Sequence, residues 1–227
     1  MLYVGLLAGV FVGNAAAHAA GLDAFRAYVA TLTLIAAGLI GARLFYVVLH
    51  WSFYRTNLDR VWNRKDGGMA MYGGFAVMLP LSVPLLSALR LPLSAFWDVT
   101  VFTVLVLMIF ARIGCLLNGC CAGRPSKSWL SVRLPNTAGV WDWRIPTQIL
   151  EAACSAVLLV CATAMWRWLP FPGALSFVIA AGYGAARLVL ESTRERYPGT
   201  SRFTVRHGIS LALVVFSLAM LSARWPK

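Results

Sequence analysis

Long uninterrupted apolar stretches dominate the chain, at about 2–20, 28–50, 69–88, 97–118, 147–168, 173–193 and 207–223. Most of them reach the roughly 20 apolar residues that a helix needs to cross a bilayer. The pattern predicts six or seven transmembrane helices, hence an all-α polytopic membrane helix bundle with about seven spans. One integral membrane domain over 1–227 is expected, with a short Gly-rich extramembrane turn segment at 119–146. The first run reads MLYVGLLAGVFVGNAAAHAA, and its alanine-rich end resembles a signal-peptidase site. No Lys or Arg precedes its apolar stretch, as one normally does in a signal peptide, so a retained helix is expected. No inverted repeat of the kind many transporters use is visible along the chain.

Composition supports this reading. Of 227 residues, 60% are hydrophobic and 12% charged, whereas soluble domains carry about 25% charged residues. That excludes a soluble globular chain, a secreted disulfide scaffold and a disordered tail. The charges are also unbalanced, with 20 Lys and Arg against 8 Asp and Glu, a formal net charge of +12. Segments 51–67, 111–146 and 194–206 hold 4, 5 and 4 basic residues, and seven spans would put all three on one side. The positive-inside tendency makes that side cytoplasmic. An anionic substrate gathered by the same arginines would reverse the inference, and composition leaves both readings open.

Ionisable residues inside apolar spans are costly and therefore functional candidates. In GYGAARLVLESTRE, Tyr183, Arg187 and Glu191 are spaced by four and share one helix face, which Arg194 continues. An internal Arg187–Glu191 pair that packs the bundle is the bland alternative to a ligand site. In ARIGCLLNGCCAGRPS, Arg112 lies near the end of the fourth span, before a turn containing Asn118, Gly119, Gly123 and Arg124. Two arginines flanking a Gly-rich turn suit a phosphate, which guanidinium binds through paired hydrogen bonds. A snorkelling arginine beside a helix stop is the competing reading.

Cys115, Cys120 and Cys121 fall in the same segment, without a nearby His to complete a zinc set. No metal site is expected there. Adjacent arginines would lower a thiol pKa and make a reactive cysteine, and inert cysteines at a tight turn are the alternative. Cys154 and Cys161, seven apart on one predicted helix, read as small packing residues. DGGMAMYGGF brackets Tyr72 with glycine pairs that include Gly73 and Gly74, and RIPTQILE places Arg144, Gln148 and Glu151 around the start of the fifth span. Pro146 marks that helix start. Arg43 also lies within a predicted span.

Taken in order, GLIGARLFYVVL, DGGMAMYGGF, ARIGCLLNGCCAGR, RIPTQILE and GYGAARLVLESTRE resemble the prolipoprotein diacylglyceryl transferase family over nearly the whole chain. The resemblance implies a seven-helix bacterial inner-membrane protein with its active site towards the periplasm. It also implies transfer of the diacylglyceryl group of phosphatidylglycerol to a lipobox cysteine thiol, with release of glycerol phosphate and no metal or cofactor. Arg112, Gly123, Tyr183, Arg187 and Glu191 match the family's essential positions. Tyr72 stands where the family has histidine, Cys115 where it has asparagine, and Cys120 where it has glutamate. The family's first-helix tyrosine has no secure match, although Tyr3 is near. The extramembrane head is short, with 19 residues between Arg124 and Arg144.

These departures point to a divergent paralogue, because tyrosine with a pKa near 10 is a poor base at neutral pH. Three functions stay open. The first is a transferase using an anionic donor, phosphatidylglycerol above all, towards a different protein or small-molecule acceptor. In it Arg112 and Arg187 hold phosphate, Arg124 and Arg144 form a second ring, and Glu191 orients Arg187. Tyr72 or Cys120 handles the acceptor proton or acts as nucleophile. Arg43, Gly73, Gly74, Cys115, Asn118, Gly123, Gln148, Glu151 and Tyr183 complete the substrate surface. The second is genuine lipoprotein diacylglyceryl transfer, and the third a non-catalytic lipid-binding membrane protein. The partner common to all is a membrane phospholipid with an anionic headgroup, and nucleic acid is not expected.

Overall fold

In the computed structural model six helices among the described residues are long and apolar enough to cross a membrane. Residues 1–63, 71–136, 139–194 and 205–225 are described, without the side chains of Met71, Tyr72, Val205 and Arg206. The helices are α1 (Leu2–Ala19), α2 (Ala24–Leu49), α3 (Trp51–Tyr54), α4 (Met71–Ala88), α5 (Leu93–Leu117), α6 (Thr147–Met165), α7 (Ala174–Glu191) and α8 (Val205–Arg224). The chain is a multi-pass membrane helix bundle. The expected run at 69–88 is α4, whose apolar stretch Gly73–Ala88 is shorter than the six long spans. The segment 119–146, expected as an extramembrane turn, also contains a hairpin of β1 (Val132–Pro135) and β2 (Trp141–Arg144). Val132 pairs with Arg144 and Pro135 with Trp141.

Two compact units make up the chain. One comprises Ala17–Phe96 and the other Met1–Ala16 with Trp97–Lys227. In the Ala17–Phe96 unit α2 packs on α4 through glycine. A Cβ added to Gly41 would sit 2.7 Å from the Gly73 carbonyl, and one on Gly73 would strike the Phe45 side chain. Close backbone approach of this kind is how helices gain van der Waals contact in lipid, where no hydrophobic drive operates between them. Pro80 and Pro84 lie within α4 and remove two backbone donors from its ladder.

The same unit shows what Arg43 does. Its Nε donates to the Val61 carbonyl at 2.7 Å, and Nη2 to the carbonyls of Arg60 and Asn63 at 3.2 Å each. The guanidinium also lies 5.6 Å from the Tyr54 ring centre, and Arg43 is buried. Arg43, expected on the substrate surface, clamps the loop after α3. A buried cation requires acceptors, and irregular loop carbonyls require donors, so each satisfies the other.

In the other unit, α7 begins at Gly173, whose φ of 98° and missing side chain leave it unable to cap the helix itself. Asp98 of α5 supplies the cap, accepting from the amides of Gly173 at 2.6 Å and Ser176 at 2.8 Å. A carboxylate at a helix N-terminus satisfies orphan donors and complements the helix dipole. α1 meets α5 in this unit at Gly5 and Gly9, where any side chain would run into Phe110 and the Thr103 carbonyl.

Candidate functional site

The short segment 123–126 builds the site by being pinned on both edges. Gly123 N donates to the Ile145 carbonyl at 3.0 Å, Arg124 N to the Thr193 carbonyl at 2.9 Å, and Ser126 N to the Trp143 carbonyl at 2.9 Å. The turn after α5 is thereby fastened to the hairpin, to the start of α6 and to the end of α7. Glycine is required at 123, because a Cβ there would meet the Thr147 hydroxyl and lie 2.7 Å from the Thr193 carbonyl. Arg144, expected in an outer phosphate ring, is instead 3% exposed, and its Nη1 donates to the Gly123 carbonyl at 3.3 Å. That bond ties Arg144 to the backbone of the segment it supports. Arg124 and Asn118 are exposed.

Once these elements are fastened, Glu151 on α6 becomes the centre of an ion network. Arg112 from α5 and Arg187 from α7 both form ion pairs with it, and Arg194 Nη2 approaches its Oε1 at 2.7 Å. Glu191 Oε2 lies 3.4 Å from Arg187 and 3.6 Å from Arg194. The Glu151 side chain is 7% exposed, against 20%, 15% and 17% for Arg112, Arg187 and Arg194. Tyr183, one turn before Arg187, lies within electrostatic reach of Arg187, Arg112, Glu151 and Arg194. Among the described residues, these three guanidiniums carry one charge more than these two carboxylates. Each guanidinium has five N–H donors in a planar fork, more than the carboxylates occupy.

Sequence spacing placed Arg187, Glu191 and Arg194 on one face. It did not show that Glu151 gathers three arginines, nor that Arg194 belongs to the site. One signal was present: Glu151 is an acid inside an apolar span and needed a partner. Gln148, 2% exposed, donates its Nε2 to the Cys120 carbonyl at 2.8 Å and so fixes the turn rather than facing outward.

The cysteine-rich turn gives a different electrostatic result from the one expected. The Cys115, Cys120 and Cys121 sulfurs lie within 4.8 Å of one another. Burial, and then the neighbouring thiols Cys121 and Cys115, push the Cys120 thiol up to about 12. The expected lowering by arginine is overturned at Cys120, where burial and the two neighbouring thiols dominate. Cys120 is therefore protonated at neutral pH, which argues against thiolate nucleophilicity. Outside the span, burial opposes the charge of Arg194, but its bond to Glu151 and the nearby Glu191 outweigh this and raise its pKa.

Gly73 and Gly74 belong to the Ala17–Phe96 unit, where both are buried against α2. The side chain of Tyr72 lies outside the described residues.

Comparison with known proteins bears on this arrangement. The profile of a family described as prolipoprotein diacylglyceryl transferase matches residues 1–223. A relative from Cereibacter sphaeroides, named phosphatidylglycerol–prolipoprotein diacylglyceryl transferase, is 30% identical over 176 residues, covering 72% of this chain and 59% of its own. Relatives of the same name come from Nitrobacter winogradskyi, 28% identical over 91% of this chain and 72% of theirs, and Streptococcus pyogenes, 25% identical over 97% and 87%. The chain spans about three-fifths of the length of the Cereibacter relative. The arginines and carboxylates gathered around Glu151 thus sit in a chain that belongs to the prolipoprotein diacylglyceryl transferase family.

Proposed function

We propose that this chain is a membrane transferase whose donor is phosphatidylglycerol and whose acceptor is the cysteine thiol of a prolipoprotein, at the periplasmic face of a bacterial inner membrane. The observation that carries the reading is the network of Arg112, Arg187 and Arg194 around Glu151, with Glu191 beside it. Phosphatidylglycerol and a prolipoprotein follow the names of the relatives, and the cysteine thiol follows the family resemblance.

The chemistry explains why arginines should be held this way. A thioether forms between the acceptor sulfur and the glyceryl carbon, and the bond from that carbon to the phosphate oxygen breaks. The phosphate leaves as glycerol phosphate with the bonding electrons, and the thiol proton passes to water. The leaving phosphate gains a negative charge that the diester lacked. Guanidiniums already positioned beside it favour the transition state over the bound donor. Glu151 and Glu191 hold those guanidiniums in place.

Purified protein given headgroup-labelled phosphatidylglycerol and a lipobox peptide should release labelled glycerol phosphate. Arg112→Ala should lower the rate by about 10²–10³-fold, the usual cost of one such donor. Intact lipid after incubation with both the peptide and a cell extract sinks the reading.

A second reading keeps the donor and changes the acceptor. It is supported by the protonated Cys120 thiol at the position where the family resemblance expects a carboxylate. Headgroup release with the cell extract but not with the peptide selects this alternative. So does failure to complement a strain depleted of its housekeeping transferase despite normal expression.

A further inference from the structure

We propose that Cys115, Cys120 and Cys121 form a three-sulfur site for one monovalent copper ion. The reading of the cysteine turn goes beyond the transferase proposal and does not depend on it.

The sulfurs come from two places in the chain. Cys115 lies in the last turns of α5, and Cys120 and Cys121 in the turn that follows. Adjacent residues of an extended segment send their side chains to opposite sides. Here the backbone is left-handed at Gly119, with φ 65°, and at Cys121, with φ 62°, and all three sulfurs lie within 4.8 Å of one another. A left-handed residue other than glycine is strained and persists where its surroundings enforce it, as in ligand clamps. The surroundings at this turn do so. Cys120 N donates to the Cys115 carbonyl at 3.0 Å, and the Cys120 carbonyl accepts from the buried Gln148 side chain at 2.8 Å.

Thiolate bonds of about 2.3 Å set neighbouring sulfurs about 4 Å apart around a trigonal ion. The cluster already lies near that spacing. Soft thiolate donors select monovalent copper or zinc. Structural zinc takes four ligands, and among the described residues no histidine or carboxylate joins these three cysteines. A d¹⁰ monovalent ion is satisfied by three sulfurs, so copper fits the donor set better.

Loading requires no oxidant or reductant when copper is supplied in the monovalent state. Each thiol releases one proton as its copper–sulfur bond forms. The complex carries two negative charges, and Arg194 lies within electrostatic reach of Cys121 to offset them. Cys121 is exposed, which gives the ion a way in.

The test uses the full chain in detergent, reduced, stripped of metal and kept anaerobic, and titrated with monovalent copper against bicinchoninate. One ion per chain should be withdrawn from the chelator, and X-ray absorption should show sulfur neighbours at about 2.3 Å. Cys121→Ser, at an exposed position, should lower the affinity by more than the roughly 10–100-fold that outer ligands of a site are worth. A C115S/C120S/C121S variant should take up none in competition, whereas C154S/C161S should bind as the parent does. The proposal is overturned if the parent fails to compete for copper, or if the triple variant still does. It is equally overturned if reduced protein retains zinc with four ligands but not copper.

Discussion

Glu151 is the residue on which the site turns, because three arginines share it inside an apolar bundle. Replacing it with glutamine leaves those guanidiniums gathered without their main counter-charge. Loss of one partner from a buried ion pair costs about 3–5 kcal/mol, so Glu151→Gln should lower thermal stability in detergent by that order. Glu191→Gln, whose contacts to Arg187 and Arg194 are longer at 3.4 and 3.6 Å, should cost less. Equal losses in the two unfolding curves would show that Glu151 is not the hub. Cys120 makes a second test at this scale. Its thiol is raised from 9.0 to about 12, so stability linked to its neutral form is complete below pH 9 and is lost as pH climbs towards 12. In reduced, metal-free protein, alkylation of Cys120 by iodoacetamide should keep accelerating as pH rises from 7 to 10. A rate that levels off below pH 9, followed by peptide mass spectrometry, would contradict this. The four-residue spacing made Arg187 and Glu191 legible as a pair in the sequence. The role of Glu151 was not legible, because its arginines lie on three separate stretches of chain.

At the scale of elements, two contacts decide how helices sit. The α2–α4 crossing depends on Gly73, where even a methyl group meets the Phe45 side chain and the Gly41 carbonyl. Gly73→Ala should therefore destabilise the Ala17–Phe96 unit by about 1–3 kcal/mol, the usual cost of overpacking. Folded yield and melting temperature in detergent measure it, and a neutral result would mean that the helices can separate freely. The start of α7 depends on Asp98, 75 residues away in sequence from the Gly173 amide that it accepts from. Asp98→Ala should cost about 1–2 kcal/mol, as loss of a helix cap does. Asp98→Asn keeps an acceptor and should lose less, a ranking that unfolding experiments can check. The apolar runs announced the long helices themselves. The cap could not be read from them, since an aspartate inside an apolar stretch looks the same whether it caps, catalyses or pairs.

For the whole molecule, the excess of basic residues and the family resemblance imply opposite sides of the membrane for the loop between α5 and α6. Ser128 in that loop is exposed. In a variant lacking the five native cysteines, Ser128→Cys should react with an impermeant maleimide added to cells with permeabilised outer membranes. Labelling only after the inner membrane is broken would place the loop in the cytoplasm and remove the periplasmic reading. The amino-acid sequence alone determined that this chain crosses a membrane several times, because 60% apolar residues in long runs have no other stable solvent. It also supplied the order of motifs that marks the family. Tertiary structure alone decided what the charges do: Arg43 holds a loop, Arg144 holds a segment, and Arg112, Arg187 and Arg194 converge on Glu151. The physical reason is that transfer into lipid is a property of each stretch of chain by itself, so sequence records it locally. A buried charge is stabilised only by the partner that folding brings to it, and that partner is commonly far away along the chain.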